Sequence, residues 1–264
     1  LLVDAQGRLV GVPTAILSRT GGSMGIGFAV PSSLARTVMD RIIKDGRVVR
    51  GHLGVFVQPV TTDLAKVFQL PDTSGALISG VTDSGPALKA GLQPGDVILE
   101  MDGKKVPDAR SLRLLIAQTA PNTPVKLKVV REGKERVIEA TLMELPTEPQ
   151  VAKVPEQPER PPARRPEGLP GVRVADLSSR VRQHLEIPAQ IHGVLVVDVA
   201  EESPASEAGL SAGDVIQEIN KQRVRNAKEA VEIGRKTRES AVLLRVWSKG
   251  ANRFLVVQPK LASR

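Results

Sequence analysis

Apolar and polar residues alternate through the opening stretch "LLVDAQGRLVGV", with Gln6-Gly7 breaking the run in its middle. Period-two alternation around a turn dipeptide is the pattern of a β-hairpin. It predicts strands at Leu1–Val3 and Leu9–Thr14, a loop over Leu17–Gly25 and another strand at Gly27–Val30. From Pro31-Ser32-Ser33 the period becomes helical and runs to Asp45, with Leu34, Val38, Ile42 and Ile43 on one face and Gly46 as the stop. So few elements are too small a set to enclose a core of their own.

The pattern then predicts a short helical turn at Asp63–Phe68, a strand at Gly75–Val81 and a short helix opened by "GPA" and stopped by Gly91. Gly95-Asp96 turns the chain into a strand at Val97–Met101, and Asp102-Gly103 marks a hairpin. Asp108 caps a helix through Gln118 that carries Leu112, Leu115 and Ile116 on one face. Strands at Val125–Val130 and Arg136–Leu142, joined across Glu132-Gly133, close the unit.

Periodicity stops at residues 146–170, where eight prolines fall in 25 positions with mixed charge. Such a segment cannot bury enough surface to offset its ordering entropy, so an extended linker is expected. Beyond it the earlier pattern returns. "VTDSGPALKAGLQPGDVILEMDGKKV" (Val81–Val106) aligns without gaps to "VAEESPASEAGLSAGDVIQEINKQRV" (Val199–Val224), with 12 identities in 26 positions. "HLGVFV" is answered by "LPGVRV", and Gly75 by Gly193. Two copies of one small domain follow.

Composition narrows the chemistry. With 41% apolar but only 2% aromatic residues and no Tyr, the cores must be built from Val, Leu, Ile and Ala. Without cysteine there is neither a disulfide nor a thiolate metal site, and the redox compartment stays open. No apolar run is long enough for a membrane-spanning helix. The net charge of +8 is spread over separate regions with no interleaved aromatics to stack on bases. That argues for a solvated surface rather than a nucleic-acid partner.

Gly21–Gly25, "GGSMG", fits the G-x-S-x-G pattern of a hydrolase nucleophile elbow. An elbow needs strand, sharp turn and helix, whereas this loop leads into the strand "IGFAV". The three histidines, His52, His184 and His192, all lie in the repeated units, so Ser23 has no local base and reads as a loop residue.

The "AGLxxGDVIxxI/M" unit with "HLGV" before it resembles a bacterial PDZ domain. The run "GRLVGVPTAILSRTGGSMGIGFAVPSSLARTVMDRIIKDGRVVRGHLGV" resembles the junction between protease barrel and first PDZ domain in the HtrA/Deg (Do-like) serine proteases. The resemblance implies a mainly β fold with short helices (α+β): a remnant of a chymotrypsin-like β-barrel over residues 1–48, a PDZ domain over 49–146, a Pro-rich linker over 147–168 and a second PDZ domain over 169–264. It further implies a periplasmic endopeptidase of protein quality control whose PDZ domains bind the C-termini of unfolded polypeptides, with assembly of the whole protein into homo-oligomers. No cofactor or metal is expected. The family's nucleophile lies in a "GNSGG" segment just before a hairpin like this opening one, with His and Asp further upstream. No catalytic residue is therefore expected in this chain, which reads as a fragment. The alternative is a non-enzymatic tandem-PDZ scaffold or chaperone.

By the same resemblance Thr14, Ala15 and Ile16 form the strand that pairs with substrate backbone, although Pro13 stands where Asn is usual and cannot donate to a ladder. The PDZ site can be argued from chemistry. His52-Leu53-Gly54-Val55 can turn successive N–H groups inward as a nest for a C-terminal carboxylate, Gly54 allowing close approach. The strand from Val55 can accept the ligand as an added strand, Leu112 and Ile116 would wall the side-chain pocket, and Arg50 could add charge. In the second copy Pro170 removes a donor from Leu169-Pro170-Gly171-Val172, so weak or absent carboxylate binding and a role in domain packing or assembly are expected there. Gly91, Gly95, Asp96 and their counterparts Gly209, Gly213 and Asp214 read as turn chemistry. His184 and His192 lack nearby carboxylate or thiolate partners, and Glu201-Glu202 reads as a solvated loop pair.

Overall fold

The computed structural model describes residues 1–17, 25–145, 171–237 and 240–259. Ser23, most of the Leu17–Gly25 loop, the proline-rich linker, Leu169 and Pro170 lie outside the described residues. The chain divides into two compact units, Leu1–Arg50 and Gly51–Arg264.

In the first unit β1 (Leu2–Val3), β2 (Leu9–Ile16) and β3 (Gly27–Pro31) form an antiparallel sheet in that order, followed by α1 (Ser32–Asp45). The turn between β1 and β2 is organised by Asp4, whose carboxylate accepts the Gln6 and Arg8 N–H groups and the Arg8 Nε–H. Pro13 stands opposite Ala29, and the ladder is irregular between Pro13 and Ala15. Thr14 is thereby left out of register, its hydroxyl 3.5 Å from the Phe28 carbonyl. Gly46 ends α1 at φ +71°, its N–H bonded to the Ile42 carbonyl.

The expected apolar face of that helix is only partly covered. Leu34 and Val38 are half-buried, but Ile42 and Ile43 are 49% and 76% exposed. Only Gly11 is fully buried among the unit's described residues.

The second unit holds both repeats. The first copy comprises β4 (Gly51–His52), β5 (Val55–Pro59), α2 (Thr62–Val67), β6 (Ala76–Val81), α3 (Pro86–Lys89), β7 (Val97–Met101), β8 (Lys104–Lys105), α4 (Ala109–Gln118), β9 (Pro124–Arg131), β10 (Lys134–Thr141) and β11 (Met143–Glu144). Its main sheet runs β10-β9-β7-β6-β5 with β8 on β7, while β11 pairs with β4. The second copy comprises β12 (Val172–Asp176), α5 (Ser179–His184), β13 (Val194–Val199), α6 (Pro204–Glu207), β14 (Val215–Ile219), β15 (Gln222–Arg223), α7 (Ala227–Lys236), β16 (Val242–Ser248) and β17 (Ala251–Val257). Its order, β12-β13-β14-β16-β17 with β15 on β14, repeats the first strand for strand. The fold is mainly β with short helices.

Local chemistry explains these elements. Asp102-Gly103 and Glu132-Gly133 take positive φ at both positions, the conformation that closes tight hairpins. Asp108 and Asn226 cap α4 and α7 by accepting the N–H groups of Ser111 and Glu229. Each copy buries its own aliphatic cluster, including Leu53, Ile78, Ile98, Leu112 and Leu127 in the first and Val172, Val196, Ile216 and Leu244 in the second.

Asp96 and Asp214 do more than shape turns. Both are buried, and each accepts an N–H from its own loop, of Gln93 or Ser211. Arg131 on β9 holds Asp96 through two bonds of 2.6 and 2.7 Å and also donates to the Gly91 carbonyl. In the second copy Arg253 reaches Asp214 and the Gly209 carbonyl from β17 instead, with one bond of 2.9 Å to the carboxylate, both from Nη2.

A third cluster joins the copies. Val60, Leu64, Ala65 and Phe68 from the first pack with Leu243 and Phe254 from the second. The rings of Phe68 and Phe254 meet edge-on, with centroids 5.5 Å apart, and Lys221 Nζ lies 5.6 Å from the Phe68 centroid. Gln258 donates to Asp63. Gly80 on β6 lets β17 approach closely, since a Cβ there would lie 2.9 Å from Asn252 Nδ2.

Candidate functional site

Where β4 runs into β5, the chain passes close to the end of α4. A Cβ at Gly51 would lie 2.6 Å from the Ile116 carbonyl and 2.7 Å from that of Thr119, so only glycine fits. Leu53 is buried and its carbonyl accepts the Ala87 N–H, which ties the loop to α3. Gly54 adopts φ +77°, and its carbonyl takes both the N–H and the hydroxyl of Thr82. A side chain at Gly54 would meet that hydroxyl at 2.5 Å. Among the described residues the N–H groups of Leu53 and Gly54 have no acceptor. Two adjacent donors without an internal partner, beside an αL glycine, can serve a carboxylate.

β5 follows directly and, among the described residues, has only β6 as a neighbour in the sheet, so its second edge is open beside α4. The first-copy residues expected from the sequence therefore fall on one loop, one strand and one helix. His52, Leu53, Gly54 and Val55 adjoin this edge, while Leu112 and Ile116 sit in the core beneath it. Leu112 has no exposed surface. Half-burial pushes the His52 imidazole below its ordinary value, because desolvation penalises its charged form. The Asp108 carboxyl is lowered by the Ser111 N–H and hydroxyl that it faces.

Arg50 is exposed and ends the first unit. Thr14, Ala15 and Ile16 also belong to that unit. Ala15 and Ile16 pair with Phe28 and Gly27 of β3, and β1 reaches only as far as Gly11, so their other edge has no strand neighbour among the described residues.

In the second copy the described part of the loop is alike at Gly171, and β12, like β5, ends its sheet, but the strand end and the helix beside it differ. Gly171 is at φ +76°, and its carbonyl accepts the Ala200 N–H. However, Asp176 at the end of β12 accepts the Ala227 N–H at 2.6 Å and stitches the strand to the start of α7. Ala230 and Gly234 stand where Leu112 and Ile116 stand in the first copy. Two groove residues of the first copy escape a sequence reading, Gln58 and Arg113, because each is bonded to a partner far away in the chain.

Residues 22–142 match the PDZ domain family, and residues 195–248 match a second PDZ description. The chain is 38% identical over 257 residues to a probable periplasmic serine endoprotease DegP-like of Chlamydia trachomatis, covering 97% of this chain and 49% of that protein. It is 36% identical over 264 residues to a protein of the same name from Brucella suis, covering 96% and 48% respectively. The chain belongs to the HtrA/Deg family. It spans about half the length of these curated relatives. Among solved structures, the HtrA-type protease AlgW with tripeptide superposes with a TM-score of 0.51 and 43% identity, over 55% of this chain and 48% of that one. The two repeats of this HtrA/Deg chain are thus PDZ domains, and no helix among its described residues is long and apolar enough to cross a membrane.

Proposed function

We propose that the first PDZ domain captures the free C-terminus of unfolded polypeptides for a periplasmic serine endoprotease of which this chain forms the substrate-sorting part. The observation that carries this reading is the pair of unaccepted N–H groups at Leu53 and Gly54, placed at the head of the open edge of β5. The donors would take the carboxylate while the edge adds the peptide as an antiparallel strand. The relatives' names and the tripeptide of AlgW support the same assignment. The open edge of β2 at Ala15 and Ile16 would present substrate backbone to the protease centre, with Thr14 displaced by its bulge. The second PDZ domain, its strand end tied to α7, would serve mainly to brace the first.

The test is calorimetry of residues 1–264 with an apolar C-terminal peptide as free acid and as amide. The free acid should bind at least about tenfold more tightly, as charge-assisted hydrogen bonds to two N–H groups predict. Gly54→Ala should abolish the difference. Equal affinity for the acid and the amide would overturn the reading.

A further inference from the structure

Along β5 the backbone carbonyls alternate in direction. Those of Gly54 and Phe56 face β6, where Thr82 and the Ser79 hydroxyl take them. Those of Val55 and Val57 face the open edge. Val57 is already engaged: Arg113 reaches across from α4, and its Nη2 donates to the Val57 carbonyl at 2.9 Å. Arg113 is otherwise exposed, so this bond fixes a long surface side chain that would gain rotamer freedom in water.

The position matters because of strand periodicity. A peptide whose carboxylate lies on the Leu53 and Gly54 N–H groups, and which runs antiparallel to β5, sets its last residue beside Val55. Its third residue from the end then falls beside Val57. The N–H of that third residue needs the carbonyl that Arg113 holds. Its side chain points to the same face as the last one, towards α4, because residues two apart share a face. Displaced from the carbonyl but still anchored on α4, the guanidinium would stand next to that side chain.

We propose that Arg113 is both a latch on the open strand edge and the group that selects an acidic side chain at the third residue from the ligand's C-terminus. The guanidinium fork matches a carboxylate in two-point geometry, so the bond lost to Val57 is replaced by one to the ligand. The inference rests on the carboxylate-capture reading of the first PDZ domain. It does not extend to the second, where Val231 occupies the position of Arg113 and is buried.

The experiment uses residues 1–264 and fluorescent peptides identical except for Asp or Asn at the third position from the C-terminus. The Asp peptide should bind about fivefold more tightly at low salt, and the advantage should shrink as salt is added. Arg113→Gln should bring the two peptides within about twofold while leaving the Asn peptide bound at least as well, since no latch then competes. Arg110→Gln, three residues earlier on the same helix, should keep the preference. Equal binding of the two peptides by the unaltered chain, or a preference that survives Arg113→Gln, overturns the proposal. An amidated Asp peptide separates the outcomes. If it binds as well as the free acid, the capture reading itself fails; if the free acid is needed but Asp and Asn bind alike, only the role of Arg113 fails.

Discussion

The carboxamide of Gln58 and the backbone of Phe254, 196 residues apart, exchange two hydrogen bonds: Nε2 donates to the carbonyl at 3.1 Å, and Oε1 accepts the N–H at 2.8 Å. A side chain thus imitates a neighbouring strand along the outer edge of β17. Gln58→Ala should cost about 1–2 kcal/mol of the contact between the two PDZ domains. Gln58→Glu should cost more, because a carboxylate would then face the Phe254 carbonyl. Calorimetric unfolding together with solution scattering checks this: both variants should loosen the pair and expand the molecule in that order.

Gly80 sets how closely β17 can lie on β6. In Gly80→Ala the new methyl would press on Asn252, whose Oδ1 is held by Gln217, and on the Phe56 ring 3.2 Å away. Overpacking of this kind costs about 1–3 kcal/mol. Adding Asn252→Ala should return part of that loss, whereas the same second change in the unaltered chain should not stabilise. Thermal unfolding of the four proteins makes the comparison.

The buried carboxylates should respond unequally to loss of their arginines. Arg253→Ala leaves Asp214 without its cation and should cost about 1–3 kcal/mol. Arg131→Ala should cost less, because Arg136 on β10, opposite Val129, stands where Arg253 stands opposite Val246. Removing Arg136 as well should restore the full loss. Urea unfolding midpoints of the single and double variants test the order.

For His52 the sign follows from burial. Its folded-state pKa lies below the ordinary 6.5, so the unfolded chain takes up a proton first as pH falls. The stability contributed by neutral His52 is complete above 6.5 and declines below it, until the folded state also protonates. His52→Gln should flatten that part of the profile. Denaturation midpoints of both proteins on either side of pH 6.5 read the difference.

Much of this architecture is legible residue by residue because its causes are local. Asp108 caps α4, Gly46 stops α1 and Asp102-Gly103 turns a hairpin through contacts with their immediate neighbours. The repeat is legible for the same reason, since both copies reuse one set of turns and caps. Gln58 and Arg113 are not, because nothing near them in the chain indicates Phe254 or Val57. The helical period that groups Ile42 and Ile43 with Leu34 marks a face but not whether anything covers it. Leu112, expected at a pocket wall, lies wholly within the core, because periodicity assigns a residue to a side and not to a depth.

The arginines that serve Asp96 and Asp214 come from different strands, and the first copy carries arginine at both positions, whereas the second has Ser248 in place of Arg131. A buried Asp with neither arginine would carry a stranded charge, so a cation can move from one strand to the other without that cost only through a sequence that holds both. The first copy is such a sequence, with Arg131 and Arg136 together. What the two copies share is a demand for a cation rather than the residue that meets it.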